Sequence, residues 1–321
     1  MLYKKINNTE LNPSCICLGT TEIGTVMDRT ESFRMLDFFM DRGGNFIDSA
    51  HVYGDMASKE KSMSEKTIGR WLKERNNRDK VIIATKGGHP SLSSMNVPRL
   101  SKAEIIKDLD ESLEYMGVDY IDLYWLHRDD PAREVSELAG VLDELVKAGK
   151  IRYYGLSNWK LPRFREAVQY SEEKGIAPPV GSQILWSLAE PDMTAVGDPT
   201  IAAMDAATWE FHLKTSIAVI PYTSQARGFF TKLKDGDAHQ LQEWVRAIYY
   251  TEKNLARLEK VKKISGELGS TVEAVVLGYL ICQPFTTIPV ISSRNLEQLT
   301  ASLEAADLEL PAGIIEYLEK P

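Results

Sequence analysis

Short β-rich runs alternate with longer stretches of helical period along the whole of this chain, and that alternation restricts the fold more than any other feature. Strand, helix and strand in succession is the pattern of parallel strands joined by crossover helices. Eight β-rich runs stand out: Ile16 to Gly19, Phe46 to Ser49, Val81 to Lys86, Ile121 to His127, Tyr153 to Ser157, Val180 to Leu185, Ala218 to Tyr222 and Thr286 to Ile291. Helices are expected near 31–42, 59–74, 101–116, 134–148, 161–174, 200–214, 252–281 and 295–306. Ser101-Lys102-Ala103-Glu104 reads as a capping box, after which Ile105, Leu109, Leu113 and Met116 follow at spacings of four, four and three before Gly117. Val135, Leu138, Leu142 and Leu145 repeat the pattern, and Gly149 closes that helix.

Eight alternations in 321 residues, with no long linker and no low-complexity tract, predict an α/β chain folded as one domain over 1–321, a single (β/α)8 TIM barrel. A doubly wound dinucleotide-binding sheet would instead carry G-x-G-x-x-G between its first strand and helix, and that motif is nowhere in the chain. Two stretches exceed the plain repeat. Residues 223–250 contain Gly228 and Gly236, and 251–282 is long enough for two helices broken near Gly269. Loops of such length after a barrel strand cover the active mouth.

Composition excludes several function classes. A formal charge of −8 argues against a nucleic-acid partner, because phosphate binding needs clustered Lys and Arg. No apolar run approaches the roughly 20 residues of a membrane helix, and Met1-Leu2-Tyr3-Lys4-Lys5 leads into polar sequence, so a cytoplasmic protein without a membrane partner is expected. Cys15, Cys17 and Cys282 cannot form a disulfide framework. His51, His89, His212 and His239 show no paired ligand spacing, and no metal is expected.

Three of the β-rich runs end in ionisable residues. Asn45-Phe46-Ile47-Asp48-Ser49-Ala50-His51-Val52-Tyr53 places an acid and a phenol after one run, Lys86 ends the next, and His127 ends the one after. In a parallel barrel such strand ends face a common mouth, so the four side chains converge where a substrate oxygen can be protonated at neutral pH. A free tyrosine titrates near ~10, too high for a good acid at pH 7, and an adjacent ammonium favours its phenolate. Taken singly, each residue could serve as a cap, a loop aromatic, a surface lysine or a core histidine. Four together at successive strand exits point to chemistry.

The chain resembles the aldo-keto reductase family. The likeness runs nearly end to end, through Leu18-Gly19-Thr20, Asn45-Phe46-Ile47-Asp48-Ser49-Ala50, Ala84-Thr85-Lys86, Leu126-His127-Arg128, Gly155-Leu156-Ser157-Asn158 and Ile288-Pro289-Val290-Ile291. The resemblance implies a (β/α)8 barrel that binds NADP(H), or NAD(H), without a doubly wound fold. It implies Asp48, Tyr53, Lys86 and His127 as the catalytic set, with Tyr53 giving its proton to a carbonyl oxygen as hydride leaves the nicotinamide. It further implies Gly19, Thr20, Thr21 and Asp48 near the cofactor, Ser157, Asn158 and Gln183 on the carboxamide, and Tyr222 stacked on the nicotinamide ring. Thr223, Ser224, Gln225, Ala226, Arg227 and Gly228 fall where relatives wrap the pyrophosphate, with Thr-Ser-Gln in place of the family's frequent Ser-Pro-Leu. Ser292, Ser293, Arg294, Gln298 and Ser302 fall at the adenosine end, where Ala301 and Ser302 replace the family's frequent Glu and Asn. Arg294 can meet a 2′-phosphate with its planar fork, which favours NADP(H).

The function expected is NADP(H)-dependent reduction of aldehydes or ketones, with a small carbonyl compound as substrate and a monomer or homo-oligomer as the working form. A second reading of the same residues is a cofactor-binding, redox-sensing or regulatory barrel with residual chemistry. A third makes Lys86 the Schiff-base nucleophile of an aldolase-like barrel, which Asp48 opposes by keeping the amine protonated.

Overall fold

A computed structural model, describing residues 1–320, folds the eight β-rich runs into one parallel sheet. The strands are β1 (Cys17–Gly19), β2 (Phe46–Asp48), β3 (Ile82–Gly87), β4 (Ile121–Leu126), β5 (Ile151–Ser157), β6 (Gly181–Gln183), β7 (Ala218–Val219) and β8 (Val290–Ile291). They neighbour one another in the order β7-β6-β5-β4-β3-β2-β1-β8. Across the remaining gap, Val219 N–H donates to Thr286 O, Ile288 N–H to Val219 O and Val290 N–H to Pro221 O, each at 2.9 Å, and the sheet closes into a barrel.

Helices return the chain between strands: α1 (Arg29–Asp41), α2 (Met63–Arg75), α3 (Lys102–Met116), α4 (Val135–Lys147) and α5 (Leu161–Lys174) follow the first five strands in turn. A single turn, α6 (Met193–Val196), and α7 (Ala206–Thr215) lie between β6 and β7. After β7 come α8 (Phe229–Leu233), α9 (Glu243–Tyr249), α10 (Glu252–Leu268) and α11 (Val272–Ile281), and after β8 come α12 (Leu296–Leu303) and α13 (Ala312–Glu319). The capping box of α3 forms as its sequence predicts, and Gly117 ends that helix in the left-handed region at φ 64°. The expected break after 251 also forms, with Gly269 at φ 60° between α10 and α11. No single helix among the described residues is long and apolar enough to cross a membrane.

Three expectations shift. The helix near 59–74 starts only at Met63, because Ser62 is left-handed at φ 56° and interrupts the helical path. The helix near 200–214 starts at Ala206, capped by Asp205, because residues 202–204 pair with Leu185 instead: Leu185 N–H donates to Ala202 O, and Met204 N–H to Leu185 O. The C-terminal α13, which the spacing does not announce, packs Ile315 and Leu318 into the core against the α10 side of the barrel.

The barrel interior is filled by Cys17, Phe46, Ala84, Leu123, Trp125, Ala218, Ile220 and Ile288, joined by Ile6 and Leu11 of the N-terminal segment. That segment folds as a short antiparallel loop, Tyr3 bridging Ser14. It closes the amino end of the barrel: Asn45 Oδ1, just before β2, accepts from Ser14 N–H, and the Tyr153 hydroxyl, early in β5, accepts from Glu10 N–H. The mouth of the barrel is therefore the opposite, carboxyl end.

Trp125 sets the interior spacing. Its register partner is Gly155, where an added Cβ would lie 2.2 Å from Trp125 Cζ3 and 2.7 Å from Gly181 O. Gly155→Ala is expected to lower stability by about 1–3 kcal/mol through overpacking, seen as an earlier urea midpoint. Gly140→Ala, inside α4 where a Cβ meets nothing within 4 Å, should instead raise stability by about 0.5–1 kcal/mol and move the urea midpoint later. A neutral Gly155→Ala would mean that the ring yields.

Candidate active site

Adjacent parallel strands deliver the first three polar groups to one point. Asp48 ends β2, Lys86 is the penultimate residue of β3, and the backbone N–H of His127, just past β4, donates to Gly87 O at 2.9 Å. Tyr53 returns to the same point from the turn after β2, its N–H donating to Ala50 O at 2.9 Å. Lys86 Nζ donates to Asp48 Oδ2 at 2.5 Å, to Ser49 O at 2.6 Å and to the Tyr53 hydroxyl at 3.3 Å. The lysine and the aspartate are both 2% exposed. Burial alone pulls the Lys86 pKa down, but the Asp48 carboxylate, with Tyr53, outweighs it and leaves the group above its ordinary value. Lys86 is an ammonium at neutral pH.

His127 stands edge-on to Tyr53 (ring centroids 6.0 Å apart, 77° between planes) and to His89 (4.7 Å, 61°). Burial, with His89, Lys86 and Arg128 adding to it, pushes its pKa well below the ordinary histidine value. The imidazole is neutral, and its Nδ1 is sealed in protein without a partner among the described residues.

A second polar chain runs around the mouth. Gln183 Nε2 donates to Asp48 Oδ1 at 3.1 Å, and Ser157 Oγ to Gln183 O at 3.0 Å. Asn158, left-handed at φ 60°, gives Nδ2–H bonds to His127 O and to Ser157 Oγ, both at 3.2 Å, and its Oδ1 accepts from the Tyr222 hydroxyl at 2.6 Å. Thr20 is buried, and its N–H and hydroxyl both donate to Asp48 O at 3.1 Å. Gly19 sits where a Cβ would lie 2.8 Å from Val290 Cγ1, so the ends of β1 and β8 approach closely there. Ser157, Asn158, Gln183 and Tyr222 thus form one bonded group beside Asp48.

Beyond β7 and β8 lies a cleft of ≈ 410 Å³, whose walls include Thr223, Ser224, Gln225, Arg227 and Gly228 on one side and Ser292, Ser293, Arg294, Gln298 and Ser302 on the other. Thr223, Ala226, Arg227 and Gly228 all have positive φ, from 47° to 79°, the curled backbone of an anion-binding concavity. Gln225 Nε2 reaches across to Ser302 Oγ at 3.1 Å, and Ser224 Oγ donates to Val290 O at 2.6 Å. The Ser293 hydroxyl, in a residue 4% exposed, has no partner among the described residues. An orphaned hydroxyl, a curled loop and three cations, Arg227, Lys232 and Arg294, on one cleft fit the phosphates of a dinucleotide.

Two of the expected contacts lie away from these walls. Thr21 is exposed in the loop after β1, and Ala226 is fully buried among Phe229 and Phe230. Trp125 is enclosed inside the barrel, whereas Trp186, packed against Tyr279 and Phe285, lines with Trp159 a cleft of ≈ 920 Å³ beyond β6. Arg128 braces the site, donating to His127 O and to Asp198 Oδ2, each at 3.4 Å. His51, Asp108 and Glu111 bring ligand-type atoms within 4.8 Å of one another, but Asp108 is held by Arg99 and Gly88 N–H, and His51 by Glu111. His89, Glu22, Lys232 and Trp244 join the site without a motif to announce them. Only His89 had a cue: it lies three residues beyond Lys86 on the same strand exit.

The family resemblance stands on independent ground. The chain is 29% identical to an uncharacterized oxidoreductase of Bacillus subtilis, over 99% of this chain and 95% of that one. It is 28% identical to the aryl-alcohol dehydrogenase [NADP(+)] of Phanerodontia chrysosporium, over 96% of this chain and 82% of the relative. The fold superposes on a solved thermostable aldo-keto reductase with a TM-score of 0.73 at 22% identity, covering 99% of both chains. A model of the Aldo/keto reductase family matches residues 15–320, and the chain belongs to that family.

Proposed function

We propose that the protein is an NADP(H)-dependent oxidoreductase that reduces the carbonyl of aldehydes or ketones to alcohols. The observation that carries this reading is the buried Lys86 ammonium held between the Asp48 carboxylate and the Tyr53 hydroxyl, with a neutral His127 alongside. When bound, the nicotinamide cofactor supplies the hydride. Tyr53 gives its proton to the substrate oxygen, and the adjacent ammonium stabilises the negative charge left on the phenol oxygen. Asp48, by pairing with Lys86, keeps that ammonium charged and aimed. The catalytic roles of all four residues belong to this proposal, as do the contacts of Ser157, Asn158, Gln183 and Tyr222 with the nicotinamide end.

The protonation of His127 follows from its surroundings. A proton on Nδ1 would bury an N–H with no acceptor, which costs more than burying an unpaired lone pair. The favoured tautomer therefore carries its proton on Nε2, which donates to the substrate oxygen beside Tyr53. The basic cleft and the curled 223–228 loop support a phosphate-bearing cofactor, and the NADP(+) in the name of the Phanerodontia chrysosporium relative points the same way.

Tyr53→Phe should reduce turnover of a panel of small aldehydes, followed by NADPH absorbance, by about 10²- to 10⁴-fold, with NADPH affinity close to that of the wild type. Undiminished turnover would remove Tyr53 as the acid. His127 also makes stability depend on pH. Its folded pKa lies below the ordinary value near 6.5, so under that pH the unfolded chain takes up a proton that the folded protein refuses. Stability then falls with pH by up to about 1.4 kcal/mol per unit below ~6.5. His127→Gln should flatten urea-derived stability between pH 7 and 5 by about that slope; parallel curves for the two proteins would mean that His127 is not held neutral.

A further inference from the structure

We propose that Glu22 tunes the preference of the cleft between phosphorylated and unphosphorylated cofactors by competing for Arg294. This rests on the reading of Arg294 as the group that meets a 2′-phosphate. Arg294 lies three residues past β8, its backbone N–H held by Gln298 Oε1 at 2.9 Å, and its side chain is 71% exposed. Its Nε donates to Glu22 Oε1 at 3.3 Å, and among the described residues Glu22 is its ion-pair partner.

Glu22 is the better anchored of the two. Its side chain is 25% exposed, and its carbonyl accepts from Met27 N–H at 3.0 Å and from the Thr25 hydroxyl at 3.3 Å. The following turn is tied to its neighbours by Ile23 N–H on Thr20 O and Gly24 N–H on Ser32 Oγ. The carboxylate is thus presented from a braced turn, while the arginine reaches to it from a solvated position. Two acids, Glu22 and Glu273, share the walls with Arg227, Lys232 and Arg294, which leaves the lining one positive charge in excess (three minus two).

The pair has opposite consequences for the two ligand types. A 2′-phosphate must draw Arg294 away from Glu22 and then sits near an uncompensated carboxylate. A ribose with a free 2′-hydroxyl does neither, and its O–H has a carboxylate acceptor within the same cleft. An exposed ion pair contributes little to folding, so the exchange leaves the protein's stability near its starting value and acts on selectivity.

The test is binding rather than turnover: calorimetric titration of the full chain with 2′,5′-ADP and with 5′-AMP, at low and high salt. Glu22→Gln should tighten 2′,5′-ADP by about tenfold at low salt, less at high salt, with 5′-AMP unchanged or weaker. Arg294→Ala should weaken 2′,5′-ADP selectively, and adding Glu22→Gln to it should tighten 2′,5′-ADP by clearly less than the tenfold seen with Arg294 present, because only the repulsion and not the competition is then relieved. If Glu22→Gln shifts both nucleotides equally, or neither, while Arg294→Ala remains selective, the role of Glu22 is overturned and that of Arg294 stands. If Arg294→Ala weakens both nucleotides equally, the 2′-phosphate reading falls and this inference with it. Selective tightening of undiminished size in the Arg294→Ala background overturns competition as the mechanism. Glu22→Ala, which removes the carboxylate without an amide in its place, must follow Glu22→Gln with 2′,5′-ADP; a divergence between the two also overturns the proposal.

Discussion

Everything at the barrel mouth depends on one buried ion pair. Taking an ammonium and a carboxylate out of water costs several kcal/mol per ion, and their mutual attraction offsets this only when the remaining polar valences are met as well. Here they are. Lys86 has Asp48, the carbonyl of Ser49 and the Tyr53 hydroxyl, while Asp48 has Lys86 on one oxygen and Gln183 on the other. The backbone carbonyl of Asp48 takes two further bonds from Thr20. The pair therefore ties the exits of β1, β2, β3 and β6 together, and a change in the register of any of them would strand a charge.

Two ionisable groups in one pocket are kept in opposite states by what surrounds them. Lys86 stays charged because a carboxylate faces it, and His127 stays neutral because burial disfavours its cation and Lys86 disfavours it further. The charge on one thus helps hold the other uncharged. The Asn158 amide completes the arrangement by gripping the His127 carbonyl with its Nδ2–H and receiving Tyr222 on its Oδ1, which ties the β4, β5 and β7 exits together.

The barrel and its four central residues were legible because both are written in local pattern. Asp48, Lys86 and His127 each end an apolar run, and strand ends on one face of a barrel meet without any long-range information. Helix boundaries were read less well where tertiary pairing overrode composition: Ile201-Ala202-Ala203-Met204 has a helical look, yet Leu185 holds it extended. The strands β7 and β8 came out shorter than their apolar runs, although the backbone bonds of Val219, Ile288 and Val290 continue the pairing past them. Glu22 and Arg294 were not legible as a pair at all. Separated by 272 positions, they meet only because the barrel brings β8 back beside β1.

The closure of the barrel has a consequence for how the molecule breathes. Three backbone hydrogen bonds, made by Val219, Ile288 and Val290, join the last two strands across the seam. The cleft walls 223–228 and 292–302 spring from those two strands, one from each side. A dinucleotide lying in the cleft would bridge the seam like a suture, and its binding energy would oppose parting of the two strands directly. Slower hydrogen exchange at these three amides would then register an occupied cleft from inside the wall.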